Sequence, residues 1–387
     1  MDYEIGILGK LVSRPTVSGD EAAARGMAAL LEKELKAIGA KVSIVDPKRD
    51  GATKASWPNV IADFDLGKKD NIVINCHYDV VPPGDGWLTD PFRLVAKKNR
   101  FYGRGTIDDK GPVAITMGAV REAAGGGSSK YNIRLMLTCD EEIGSRYGVE
   151  YVLRKGLGKG VDFALIMDGH NHPVVGCSGG VDGKIRVYGR QSHAGAEWKG
   201  KNAISESFAL LGELERGFKK IRARRRSVLE LSEKDAPYKN VFGRFNITMI
   251  RSGEKANVIP GLCEASFDMR LLPEENADDA VRELRAYLSG LSKKLGIRSS
   301  MEVDLKMNGY ISDSKNRFVK RFMDVCGERR RFGTWGVVDG RLFAERGVPS
   351  VAYGPSDGYR DHTANEYIER EEIESTKKML LKFLEGG

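Results

Sequence analysis

The stretch Ile72-Val73-Ile74-Asn75-Cys76-His77-Tyr78-Asp79 sets an imidazole and, two residues on, a carboxylate directly after an apolar run. Such a run reads as a buried parallel strand, and binding groups in open α/β sheets gather at the carboxyl ends of strands. Residues i and i+2 of an extended segment share a face, so Asp79 can approach His77 and orient it, as carboxylates do beside metal-bound histidines. Three more acidic sites follow predicted strands or a glycine-rich loop: Asp108-Asp109, Glu141-Glu142 and Asp168. His362, in Asp361-His362-Thr363-Ala364-Asn365-Glu366, is a further candidate. Singly, a strand-end acid is an ordinary cap or surface residue. Together, imidazoles and carboxylates suit zinc, cobalt or manganese better than calcium or magnesium. A pair of such ions needs a bridging carboxylate and terminal ligands on each side, and this set also leaves a spare carboxylate as general base.

Periodicity predicts the elements that must position these groups. A helix is expected over 20–38, with strands over 41–45, 59–64 and 71–76. The loop Tyr102–Gly111 is rich in glycine and leads into a helix from near Pro112 to about Ala124, since proline suits a helix's first turn. Strands over 133–138 and 161–167 end at Cys139-Asp140-Glu141-Glu142 and at Asp168. On a strand Glu141 and Glu142 would face opposite ways. They converge only if the chain bends after Cys139, which Gly144 and Ser145 favour. The alternation of strands and helices predicts an α/β fold, a mixed-sheet three-layer catalytic domain. From about 180 to 308 the order becomes β-α-β-β-α-β, with strands near 184–190, 245–251, 263–272 and 301–307 and helices near 201–225 and 277–295. That order is ferredoxin-like α+β. The expected organisation is therefore residues 1–179 plus 309–387 as the metal-binding domain and 180–308 as an inserted domain.

The chain has 387 residues, 41% hydrophobic and 30% charged, which fits a globular protein of more than one domain. No run of about 18 apolar residues suggests a membrane span, and the start Met-Asp-Tyr-Glu has no secretion leader. Five cysteines, none in a C-x-x-C pair, point to a reducing, cytoplasmic setting and read as small buried apolar residues. The net charge of +8 favours anionic ligands in general. The densest basic run, Arg222 to Arg226 after Lys219 and Lys220, reads as a solvated helix face or loop. No aromatic residues interleave with it, so nucleic acid is not an expected partner.

The strings HYDVVPPGDGW, YGRGTIDDKGP, TCDEEIGS, GRQSHAG, NVIPGLCEASFDMR and DHTANEYI occur in that order over nearly the whole chain. They resemble the two-metal exopeptidase and deacylase family of carboxypeptidase G, acetylornithine deacetylase, succinyl-diaminopimelate desuccinylase and bacterial dipeptidases. The resemblance implies that His77 and Asp168 hold one metal, Glu142 and His362 the other, and that Asp108 bridges both. It implies two divalent ions, zinc first, with cobalt or manganese as alternatives. Glu141 would be the general base for a hydroxide held by the two ions, and Asp79 would orient His77. Asp109, where many relatives have a non-acidic residue, is expected to be peripheral. In the inserted lid and dimerisation domain, His193 would polarise the scissile carbonyl, often from a partner subunit. Arg270 would grip a substrate carboxylate, assisted by Asn257. Gly333, Thr334 and Asp339-Gly340-Arg341 resemble the loop on the product side, although Trp335 interrupts its run of small residues. His170 and His172 depart from the pattern and are expected to form a polar loop.

The implied function is hydrolysis of an amide in a dipeptide, peptide or N-acyl amino acid, in a homodimer formed through the inserted domain. A desuccinylase or acetylornithine-type deacylase is the alternative within the family. Aspartate at the position of Asp168 tends to go with dipeptidases and aminopeptidases. A catalytically inactive binding protein on the same scaffold would be missing ligands, and none is missing here.

Overall fold

The structure is a computed structural model that describes every residue except Met1, Lys234 and Gly387. It divides into two compact units. The first comprises Met1–Val175, Ser312–Arg330 and Val338–Gly387, and the second Gly176–Ile311 with Arg331–Val337.

The first unit is built on a mixed sheet. Its strands lie in the order Lys41–Val45, Asn59–Phe64, Tyr131–Thr138, Asp70–His77, Phe163–Ile166 and Ser350–Ala352. The first two junctions are antiparallel and the remaining three parallel. The central strands are apolar on both faces because helices cover both sides. Ile72, Val73, Ile74, Leu135, Met136, Leu137, Phe163, Ala164 and Leu165 are all buried. The rings of Tyr131, Phe163, Phe318, Phe322 and Phe383 pack against one another beneath the sheet, with centroid separations from 5.1 to 6.5 Å. Helix Glu21–Ala37 starts where Asp20 accepts hydrogen bonds from the N–H groups of Ala22 and Ala23. Helix Lys110–Gly125 begins two residues before Pro112 and is buried along most of its length. An N-terminal helix, Asp2–Val12, had no counterpart in the periodicity, because Gly6 and Gly9 dilute its apolar stripe.

The second unit contains a four-stranded antiparallel sheet in the order Arg244–Ser252, Leu262–Leu271, Gly179–Tyr188, Arg298–Met307. Helices Ala203–Ala223 and Ala277–Leu295 bury one face of it, Leu210, Leu214, Phe218 and Leu284 joining Phe245 and Phe267 of the strands in one core. The first strand starts at Gly179, ahead of the alternating residues, because Gly179, Gly180 and Gly183 carry no side chain to mark it.

The basic run is solvated only in part, since Lys219, Lys220, Arg224 and Arg226 are exposed while two of its arginines turn inward. Arg222 is fully buried and pairs with Glu275, and Arg225 pairs with Glu275 and Glu283. The guanidinium of Arg226 sits 3.6 Å from the Tyr238 ring centroid, on a short hairpin formed by Arg226–Glu230 and Asn240–Phe242. Distant glutamates neutralise Arg222 and Arg225, which a local reading of charge cannot see. Cys76, Cys139, Cys177 and Cys263 are buried, Cys326 is partly so, and all five are free thiols. Among the described residues, no helix is long and apolar enough to cross a membrane.

Candidate metal centre

In the first unit His77 lies opposite Thr138, and Asn75 opposite Ile166. Three parallel strands thus stop along one edge. The segments leaving that edge carry His77 and Asp79, Glu141 and Glu142, and Asp168. One atom each of His77, Asp108 and Glu142 lie within 4.8 Å of one another, and so do one atom each of His77, Glu141 and Asp168. Asp108 stands between two imidazoles. Its Oδ1 is 2.9 Å from His77 Nε2, and its Oδ2 is 3.0 Å from His362 Nε2. Glu142 Oε2 is 2.9 Å from the same His362 nitrogen.

The bend after Cys139 has a definite geometry. Asp140 takes a left-handed conformation at φ 62°, Glu141–Ile143 forms one turn of 3-10 helix, and Gly144 follows at φ 105°. Successive residues in such a turn point about 120° apart, so neighbouring carboxylates serve different groups. Asp79 holds this turn. Its carboxylate accepts from the backbone N–H of Glu141 at 3.2 Å and of Glu142 at 3.4 Å, and from the Ser18 hydroxyl at 2.6 Å. Toward His77 it presents its carbonyl oxygen at 3.1 Å and a carboxylate oxygen at 3.4 Å from Nδ1. Nε2 is thereby aimed at Asp108.

Asp109 is a correction. It is fully buried, and its Oδ2 accepts the backbone N–H of His77 at 2.9 Å. It braces the strand end that carries His77. The Asp108–Asp109 peptide is cis. Glu366 was not anticipated either. Its Oε1 accepts from the N–H groups of Ile107 at 2.8 Å and Asp108 at 3.2 Å, and its Oε2 from Gly105 N–H at 3.0 Å and Arg104 at 2.6 Å. This buried carboxylate ties the Asp108 loop to the segment bearing His362. The one available signal was an acid four residues beyond a candidate ligand. His170 and His172 stack on each other with centroids 5.3 Å apart.

The electrostatics follow from burial. Asp168 is pushed up to about 7 by burial and then by Asp108. Burial, then Asp168, also raises Glu141 well above the ordinary carboxylate range. Burial would lower His77, but its hydrogen bonds with Asp108 and Asp79 outweigh that and hold it well above its usual value. Hydrogen bonds to Asp108 and Glu142 lift His362 to about 10. The carboxylates demand positive charge, which imidazolium supplies here and which divalent cations would supply equally well. Glu142 Oε1 is buried without a hydrogen-bond partner among the described residues, so a lone pair remains for a cation. The donor set of imidazole nitrogen and carboxylate oxygen fits two transition-metal ions.

The other candidates lie in the second unit. His193 is exposed at the start of a 3-10 turn, and its Nδ1 accepts the Gly195 N–H at 3.0 Å. It is strand-paired with Val258, next to Asn257, whose carbonyl accepts the Ala194 N–H at 2.9 Å. Arg270 is partly exposed near the other end of the Leu262–Leu271 strand and holds Asp268 through Nε at 2.9 Å.

A sheet whose strand ends gather imidazoles and carboxylates, with one carboxylate between two imidazoles, defines a metallohydrolase scaffold. The chain belongs to peptidase family M20/M25/M40, whose model matches residues 73–386. It is 28% identical over 330 residues to a succinyl-diaminopimelate desuccinylase of Nitratiruptor sp., covering 83% of this chain and 84% of that one. Its fold is similar to aminopeptidase PepT of Bacillus cereus, at TM-score 0.78 and 20% identity over 99% of this chain and 98% of that one. It is also similar to human carnosine dipeptidase 1, at TM-score 0.75 and 22% identity over 99% and 96% of the two chains. The chain is thus a metal-dependent hydrolase of amide bonds, as its resemblance implied.

Proposed function

We propose that this chain is a two-metal hydrolase that cleaves a dipeptide or an N-acyl amino acid bearing a free carboxylate. The observation that carries the reading is the Asp108 carboxylate, one oxygen toward His77 at 2.9 Å and the other toward His362 at 3.0 Å. His77 and Asp168 would hold one cation, Glu142 and His362 the other, and Asp108 both. Two divalent ions held there, zinc in this reading with cobalt or manganese as alternatives, would supply Lewis acidity toward a water and the substrate carbonyl. Glu141 would take the proton from that water and return it to the leaving nitrogen, and burial, then Asp168, raises its carboxyl above the ordinary range, in the direction that favours holding a proton. Asp79 fixes the ring of His77 and the turn bearing Glu141 and Glu142. His193 stabilises the developing oxyanion, Arg270 holds the substrate carboxylate, and Asn257 assists.

A homodimer through the second unit supports these last roles. His193 and Asn257 lie beyond the Leu262 end of a strand whose eighth residue on is Arg270. That separation is roughly 27 Å, and a dipeptide spans only about 7 Å. One substrate therefore meets Arg270 of one copy and His193 of another. Strand Arg244–Ser252 is an edge that leaves Met249 48% and Ile250 51% exposed, a surface a second copy would cover. The free cysteines support a cytoplasmic setting.

The test is a hydrolysis panel of dipeptides, N-succinyl and N-acetyl amino acids with each metal added. Turnover should require metal. Glu141→Gln should cut kcat by about 10²–10⁴-fold with metal content unchanged. Undiminished turnover in that variant would assign the base elsewhere. Turnover of the N-succinyl compounds alone would favour the desuccinylase reading that the Nitratiruptor relative suggests.

A further inference from the structure

Arg244 opens the edge strand of the second unit and lies directly opposite Arg270 in the antiparallel register. Opposed residues project from the same face with Cα atoms about 4.5–5.5 Å apart, and like charges so placed repel. Arg270 engages Asp268 through Nε at 2.9 Å, lies opposite Gly180 on its other side, and keeps its side chain 33% exposed. A Cβ at Gly180 would sit 3.9 Å from Arg270 Nη1 and 3.8 Å from Met307 Cε, so Arg270 passes close over that glycine. Arg244 has no ion pair within 4.0 Å among the described residues. It is nevertheless fixed, with Nη2 donating to the Trp335 carbonyl at 3.0 Å and its guanidinium 5.2 Å from the Phe242 ring centroid. Its Nε is buried without a hydrogen-bond partner among the described residues. Asp268 and Glu233 pull the Arg244 pKa up, but burial and then Arg270 prevail and bring it down to about 10. Asp268, with Asp182 beside it, already faces Arg270, and a further anion would balance the neighbouring Arg244.

We infer that Arg244 and Arg270 form a paired clamp for a substrate unit carrying two carboxylates, an N-acyl or N-aminoacyl glutamate or aspartate. One carboxylate is saturated by the in-plane fork of one guanidinium. A second guanidinium one strand away, with donors of its own, matches a second carboxylate on the same small residue. This rests on the proposed role of Arg270 as the carboxylate-binding residue and adds the specificity of the unit it holds.

The experiment compares alanyl-glutamate with alanyl-glutamine, and N-acetylglutamate with N-acetylglutamine, in the metal-loaded wild type, Arg244→Gln and Arg244→Lys. The dicarboxylate member of each pair should be preferred by roughly 10- to 100-fold in kcat/KM, the worth of a charge-assisted hydrogen bond. Arg244→Gln should erase that preference and leave the amide members within about 3-fold, and Arg244→Lys should retain part of it. Equal losses on both members, or no loss on either, would overturn the inference. Calorimetric binding of N-acetylglutamate and N-acetylglutamine to Glu141→Gln protein separates this from the hydrolase reading. If nothing is hydrolysed but the dicarboxylate binds tighter through Arg244, the clamp stands without the reaction. Equal binding of the two compounds removes the clamp.

Discussion

At the scale of single residues, the centre is governed by buried charge. Asp168 rises from 3.8 to about 7 and His362 from 6.5 to about 10. Both groups hold protons in the folded chain that the unfolded chain has released. For Asp168 this is so between about pH 4 and 7, and for His362 between about 6.5 and 10. Metal-free protein should therefore lose stability as pH rises through both windows, because the folded state binds more protons there. Cations replace those protons, so the gain in Tm on adding zinc should be larger at pH 8 than at pH 5.5. Melting curves with and without chelator check this, and a gain that shrinks with rising pH would contradict it. His77, Asp108, Glu141, Glu142 and Asp168 follow an apolar run or a glycine loop, and with His362, which the fold brings beside them, they were readable as candidates. Asp109 was not. Its burial is set by the backbone N–H of His77, 32 residues away in the chain.

At the scale of elements, the loop that carries Asp108 depends on Glu366. Burial pushes this carboxyl up to about 7 while the Ile107 and Gly105 N–H groups and Arg104 pull it down. Glu366→Gln would aim an amide donor at a ring of donors. It should weaken metal binding by roughly 10- to 100-fold, the usual cost of losing a group that orients ligands. Calorimetry should find metal binding weakened together with the Asp108 and His362 positions, and unchanged binding would show the loop holds itself. Strands at 41–45 and 59–64 and the helix at 277–295 coincide with Lys41–Val45, Asn59–Phe64 and Ala277–Leu295. Their signals are local: alternation, β-branched runs and a capped amphipathic stripe. The hairpin of Arg226–Glu230 with Asn240–Phe242 escaped notice because its strands, five and three residues long, are too short to carry a clear alternation.

At the scale of the whole molecule, the proposed roles of His193 and Arg270 call for a second copy. If His193 acts on the partner's substrate, Glu141→Gln and His193→Ala chains should complement each other. A mixed dimer would contain one site with an intact base and an intact imidazole. An equimolar mixture, dissociated and reassembled, should recover roughly a quarter of wild-type activity. Activity equal to the sum of the two separate variants would place His193 in the same chain as its site. The fold class was readable from the alternation of elements, and the short stretch Arg331–Val337 that clusters with the second unit was not, since its few residues carry no periodicity.

The central claim is that His77, Asp108, Glu142, Asp168 and His362 together hold two cations. Anomalous diffraction from crystals grown with zinc tests it most directly. The account predicts two peaks per chain, one beside His77 and Asp168 and one beside Glu142 and His362, with Asp108 between them. A single peak, or peaks away from Asp108, would contradict it.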